Sequence, residues 1–225
     1  MKAVLFDLDG TLIDSEIDFR KMKRRSIRLL EDSGVDKGLL TEELLNYNIE
    51  KRAVENLRKK GCSEVEIQRV FQKVADIMNE IELEAIEDAK LLDGVVDTLV
   101  KLRELGLKIG IITRGCRQYA DKILEKFELE RLIDAVAARD DVLKAKPDAE
   151  HPRYLMEILG VKSSETVMVG DHPIDALCAK NVGTRFFLVP KRNTNLRAFR
   201  EYSYEPLRDI RDIVDILRPK SSSAR

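Results

Sequence analysis

Short, uninterrupted apolar runs alternate with longer amphipathic stretches over most of the 225 residues. The runs are AVLFDLD at 3–9, LKIGIIT at 107–113, DAVAAR at 134–139, TVMVGD at 166–171 and TRFFLVP at 184–190. Their continuous rather than every-other-residue apolar character predicts strands buried on both faces. Between the later runs, residues 117–130, 151–160 and 173–183 carry helical periodicity, and each stops at a Gly or a polar turn. Strand and helix taking turns in this way predict an α/β fold, a Rossmann-like parallel sheet with helices on both faces.

The rhythm is broken once, between the first run and the second, where nearly a hundred residues show no strand signal. Residues 15–31, 41–60 and 63–87 have apolar positions at helical spacing. Gly34 and Gly61 fall where helices would end, and Ser63 with Glu66 has the form of a capping box. A fresh amphipathic segment, LLDGVVDTLVKLRELG at 91–106, leads into the second run. The pattern predicts a core made of residues 1–14 and 91–219, an α-helical insert at 15–90 of the size of an independent subdomain, and a disordered tail at 220–225 with no apolar content.

Composition narrows the function classes. A 44% hydrophobic content allows a substantial core, and forty basic against forty-one acidic residues leave a net charge of -1. No overall electrostatic pull toward nucleic acid or an anionic membrane follows from that balance. Three widely spaced cysteines, Cys62, Cys116 and Cys178, form no CxxC pair, which argues against a disulfide framework or a structural zinc site. No stretch approaches the ~20 apolar residues of a membrane span, and the first residues carry acids instead of a signal-peptide core, so the expectation is a cytoplasmic protein with no membrane partner.

The chemistry sits where ligands bind in an open parallel sheet, beyond the carboxyl ends of the strands. Collected there are Asp7 and Asp9, Thr113, Lys146 after the third run, and Asp171 with Asp175. Carboxylates brought this close would have raised pKa values unless a cation joined them. A hard divalent ion with oxygen ligands, magnesium above all, would satisfy them and leave positions for phosphate oxygens.

In that order, DLDGT (7–11), a strand ending in Thr113, Lys146-Pro147 and GDHPID (170–175) resemble the four motifs of the haloacid dehalogenase-like hydrolases. The insert is similar to the helical cap of the branch containing phosphoglycolate phosphatase and beta-phosphoglucomutase. The resemblance implies a mobile cap over a Rossmann-like core and a Mg2+-dependent phosphatase acting on a small phosphorylated metabolite. Asp7 would be the nucleophile that forms an aspartyl-phosphate, and Asp9 the acid for the leaving alcohol and then the base for water. Thr113 and Lys146 would hold the phosphoryl oxygens. Asp7, Asp171 and the main-chain carbonyl of Asp9 would ligate the metal, with Asp175 orienting from behind and Gly10 letting the backbone turn toward the phosphate. Arg114 stands where the family usually has a small or amide residue and is expected to be an extra substrate clamp. An acid two residues after the nucleophile separates phosphatases from dehalogenases, which protonate no leaving group.

Competing readings exist for several residues. Lys144 rivals Lys146, but Pro147 favours the latter. His151 and His172 read as surface or helix-start histidines without a catalytic role, Cys116 as a small buried hydrophobe, and the cations from Arg20 to Arg25 as a solvated helix face. At the level of function, a sugar phosphomutase uses the same core, and a phospho-receiver module clusters similar groups but carries no large insert after the first strand.

Overall fold

The computed structural model describes residues 1–191 and 194–219; the tail expected at 220–225 lies outside the described residues. Among the described residues, six strands form one sheet in the order β5-β4-β1-β6-β7-β8, every neighbouring pair parallel. They are β1 (Ala3–Phe6), β4 (Lys108–Ile112), β5 (Ala135–Ala137), β6 (Thr166–Gly170), β7 (Arg185–Leu188) and the short β8 (Glu205–Pro206). A two-residue antiparallel pair, β2 (Ile13–Asp14) with β3 (Lys90–Leu91), stands apart.

The central position of β1 follows from its composition, since all four of its residues are fully buried and strands with neighbours on both edges need apolar side chains on both faces. On one face Ala3 and Leu5 join Met168 and the buried sides of α6 (Glu150–Leu159) and α7 (Pro173–Val182), through Leu155, Met156, Ala176 and Ala179. Packed against β4 is α4 (Val95–Glu104), which also meets the short C-terminal α8 (Asp212–Leu217). Between β4 and β5 runs α5 (Arg117–Lys126).

The chain divides into two compact units, Met1–Ser15 with Asp88–Arg225, and Glu16–Glu87. The second consists of α1 (Phe19–Asp32), α2 (Asn46–Lys59) and α3 (Glu64–Glu84). Its interior is drawn from one stripe of each helix: Met22 and Leu30, Ile49 and Leu57, Val74 and Met78. The capping box at Ser63 is formed, with Glu66 returning a bond to the Ser63 amide at 2.8 Å. Lys21 and Arg25 of α1 pair with Glu84 and Glu80 of α3, exposed contacts that add little to stability.

Observed and expected elements differ mostly at their ends. The first apolar run extends to residue 9, but β1 stops at Phe6. Past Asp7 the Leu8 carbonyl collects the amides of Thr11, Leu12 and Ile13, which turns the chain out of the sheet. The segment at 91–106 begins as β3, and its helix starts only at Val95, after Gly94. Neither β8 nor α8 was foreseeable from periodicity, because β8 is two residues long and owes its existence to an open edge on β7.

Leu5 tests this core. Its replacement by Ala should cost about 2–5 kcal/mol through lost burial and the cavity left behind, read as a lowered midpoint of chemical denaturation; a change within experimental error would mean that the β1 face is not packed as described.

Candidate active site

The parallel register sets the site. Phe6 lies opposite both Ile111 and Val169, so the residues that follow β1, β4 and β6 emerge at one level of the sheet. The Asp7 amide still donates to the Val169 carbonyl at 2.9 Å, and the Thr113 amide to that of Ala137 at 3.0 Å. Here β1 is flanked by strands reached in opposite directions along the sheet, the point where α/β proteins bind ligands.

Lys146 reaches this level from the loop between β5 and α6 and is almost completely buried. Its Nζ lies 2.6 Å from Asp7 Oδ1 and 2.7 Å from Asp175 Oδ1. Asp175 sits in the first turn of α7, and its other oxygen accepts from the His172 amide at 3.1 Å. Gly170 makes this approach possible: a Cβ there would stand 2.7 Å from the Asp175 side chain. At Gly10, φ is +89°, and a Cβ would stand 2.5 Å from Asp171 Oδ2, so the turn after β1 needs glycine on both counts.

Asp9 faces a different set of partners. Its Oδ1 accepts from the Tyr119 hydroxyl at 2.6 Å and its Oδ2 from Thr113 Oγ1 at 3.3 Å. Thr113 Oγ1 in turn accepts from the Gly115 amide at 2.9 Å. The two acids of DLD therefore differ: Asp7 meets an ammonium, Asp9 two hydroxyls. Asp171 accepts from Thr11 Oγ1 at 3.4 Å and pairs with Lys191 Nζ at 2.9 Å.

Burial pushes the Asp7 carboxyl well above its ordinary pKa, with Asp175 adding to the effect and Lys146 offsetting part of it. For Lys146 burial alone would favour the neutral amine, but Asp175 and Asp7 outweigh it, so its pKa lies above the usual value and the group stays an ammonium. Carboxylate oxygens of Asp7, Asp171 and Asp175 all lie within 4.8 Å of one another. An all-oxygen, anionic donor set of this kind fits a hard divalent cation such as magnesium. The Asp9 carboxyl is outside that group, so a metal contact from residue 9 would run through its main-chain carbonyl.

The structure thus brings together Asp7, Lys146, Asp171 and Asp175, sets Asp9 with Thr113 beside them, and places Gly10 against Asp171. The Arg114 guanidinium, expected to be a substrate clamp, donates to the Lys146 carbonyl, and Arg139 donates to the carbonyl of Arg114. His151 lies at a helix start, one of the two placements expected of it, and is completely buried. Its Nδ1 accepts from the Lys146 amide at 3.0 Å, which leaves the proton on Nε2 to donate to the Ala137 carbonyl at 3.1 Å. Three further residues at this end of the sheet, Tyr119, Thr11 and Lys191, were not singled out from the sequence. Tyr119 reads as one apolar position of an amphipathic helix, and Lys191 as one more surface lysine.

A family model of haloacid dehalogenase-like hydrolases matches residues 4–189. The chain belongs to that family. It is 35% identical over 130 residues to pyrophosphatase PpaX of Halalkalibacterium halodurans, a match covering 57% of this chain and 60% of the relative. To pyrophosphatase PpaX of Bacillus mycoides it is 28% identical over 218 residues, 95% of this chain and 97% of the other. A solved structure of a phosphatase of this superfamily from Thermococcus onnurineus superposes with a TM-score of 0.65 at 25% identity, covering 97% of this chain and 98% of that one. Fold, strand-end acids and relatives together make the protein a hydrolase of the phosphatase kind. Among the described residues no helix is long and apolar enough to cross a membrane.

His151 gives the site a measurable pH signature. Burial first, and the Lys146 ammonium second, push its pKa down to about 4. A base whose folded pKa lies below its unfolded value of roughly 6.5 contributes stability that is fully present above pH ~6.5 and lost as pH falls toward ~4. The loss should amount to about 3 kcal/mol. Denaturation midpoints between pH 7 and 4 should fall less steeply for His151→Gln, which keeps an acceptor but cannot take the proton; equal slopes would show that the buried imidazole does not resist protonation.

Proposed function

We propose that this phosphatase is a magnesium-dependent phosphomonoesterase for a small phosphorylated metabolite, working through an aspartyl-phosphate on Asp7. The observation that carries the reading is the unequal environment of two acids two residues apart. Asp7 is clamped to the Lys146 ammonium, whereas Asp9 is turned to the Tyr119 and Thr113 hydroxyls. One acid is ion-paired in a buried position where its oxygen can meet an incoming phosphoryl group, the other is held by hydroxyls where it can exchange a proton.

The steps follow from these placements. A carboxylate oxygen of Asp7 attacks phosphorus, the bond from phosphorus to the ester oxygen breaks, and Asp9 gives its proton to that oxygen as the alcohol leaves. Water then attacks the phosphorus of the acyl phosphate, Asp9 takes a proton from it, and inorganic phosphate departs with Asp7 regenerated. Lys146 balances the charge of Asp7 throughout, and Thr113 offers a hydroxyl to a phosphoryl oxygen. Asp7, Asp171 and Asp175 are the groups that would hold magnesium, joined by the carbonyl of Asp9. When bound, the ion offsets the charge of the phosphoryl oxygens and of the three carboxylates.

A second reading concerns the leaving group. Lys191 adds an exposed ammonium at Asp171, on the rim of the site, and this favours a substrate with a second anionic group over a neutral alcohol ester. Inorganic pyrophosphate, which gives the two PpaX relatives their names, is such a substrate.

Phosphate release from para-nitrophenyl phosphate and from pyrophosphate, each with magnesium and with a chelator, tests both readings. Activity should require the metal and should fall at least about 10³-fold in Asp7→Asn, as loss of a nucleophile does. Labelled phosphate should remain on the wild-type protein after rapid quenching and be absent from the variant. An Asp7→Asn protein as active as wild type would end the proposal, and a preference for pyrophosphate that Lys191→Ala does not diminish would end the second reading.

A further inference from the structure

The proton-transfer acid is held by a residue that none of the four motifs contains. We propose that Tyr119 is a positioning residue for Asp9, fixing the rotation of its carboxyl group so that it delivers its proton to the leaving oxygen. The inference rests on the reading of Asp9 as the acid.

Three observations carry it. First, the Tyr119 hydroxyl lies 2.6 Å from Asp9 Oδ1, within the short range of charge-assisted O–H···O bonds. Second, the ring has no freedom to wander: Tyr119 is fully buried in the first turn of α5, directly behind the loop that carries Thr113. Third, that loop is shaped around the ring. A Cβ on Gly115 would stand 2.8 Å from Tyr119 Cδ1 and 3.3 Å from Thr113 Oγ1, so the glycine leaves room for both hydroxyl donors to reach the same carboxyl.

The physical need for such a device lies in the side chain itself. The terminal torsion of an aspartate is broad and roughly two-fold, unlike the staggered torsions of aliphatic chains, so a carboxyl without fixed partners samples many orientations. Proton transfer needs one of them, with the acid within hydrogen-bond reach of the leaving oxygen. Tyr119 on Oδ1 and Thr113 on Oδ2 grip the carboxyl from both ends. Thr113 sits on the motif and is expected to meet the phosphoryl group, whereas the Tyr119 hydroxyl bond described here is made to the acid.

Dependence on the leaving group separates positioning of an acid from general structural support. An alkyl alkoxide leaves poorly without a proton, whereas para-nitrophenolate leaves readily without one. In Tyr119→Phe, which keeps the ring and removes the hydroxyl, kcat/KM for glycerol phosphate should fall about 10-fold more than kcat/KM for para-nitrophenyl phosphate, a part of the roughly 10²–10⁴-fold that a general acid supplies. Asp9→Asn should show the same bias more strongly. If Asp9→Asn shows no bias, the reading of Asp9 as the acid fails and the inference falls with it. If Asp9→Asn is biased and Tyr119→Phe lowers both substrates equally or neither, Tyr119 has no positioning role and the reading of Asp9 stands. Should Tyr119→Phe not fold, Gly115→Ala decides the matter, since its methyl group must displace the ring and should produce the same bias.

Discussion

The ammonium of Lys146, 2.6 Å from Asp7 and 2.7 Å from Asp175, is the contact on which the site depends. Without it, two buried carboxylates, one following β1 and one in the first turn of α7, would face each other with no ammonium between them. A buried ion set of this kind costs desolvation energy that its mutual attraction only partly returns, so stability alone does not account for it. Its effect is to hold the Asp7 carboxyl in a fixed ion pair in a place where water is largely excluded. The surroundings are built to support it. Gly170 lets Asp175 come close, the His172 amide holds the second oxygen of Asp175, and a buried imidazole fixes the backbone of Lys146.

Next to this cluster, Asp9 meets different groups. Asp9 accepts from the hydroxyls of Thr113 and Tyr119, so two acids of the same residue type have different partners. One carboxylate gains from a fixed positive neighbour, which stabilises the anion. The other accepts from two hydroxyls, one on each oxygen, which orient it.

Arg114 shows how a side chain can serve the site indirectly. A charged residue directly after Thr113 reads as a clamp; in the fold its guanidinium donates to the Lys146 carbonyl, and Arg139 donates to the Arg114 carbonyl in turn. These contacts tie the loop after β4 to the loop that carries the lysine. The two loops come from neighbouring parts of the sheet, and without such ties the ammonium would depend on one short segment for its position.

Much of this was legible in the amino-acid sequence because it is local. Apolar runs of the right length set the strands, helical periodicity set the layers, and acids at the ends of runs marked the edge where chemistry occurs, since a buried strand tolerates charge only where it leaves the sheet. Asp7, Lys146 and Asp171 could be proposed together on that basis. Tyr119, His151 and Lys191 could not, because their roles arise from contacts across the fold, and their own neighbours in the chain look like ordinary helix and loop. The short β8 exists because β7 offers an open edge. Asp9 parted from Asp7 because the strand ended at Phe6 and the Leu8 carbonyl turned the chain, a choice made by hydrogen bonds that the pattern of residues does not encode. Sequence alone therefore determined which groups collect at the sheet edge, while tertiary packing decided which group each of them meets, since partners far apart in the chain are chosen by the shape of the core between them.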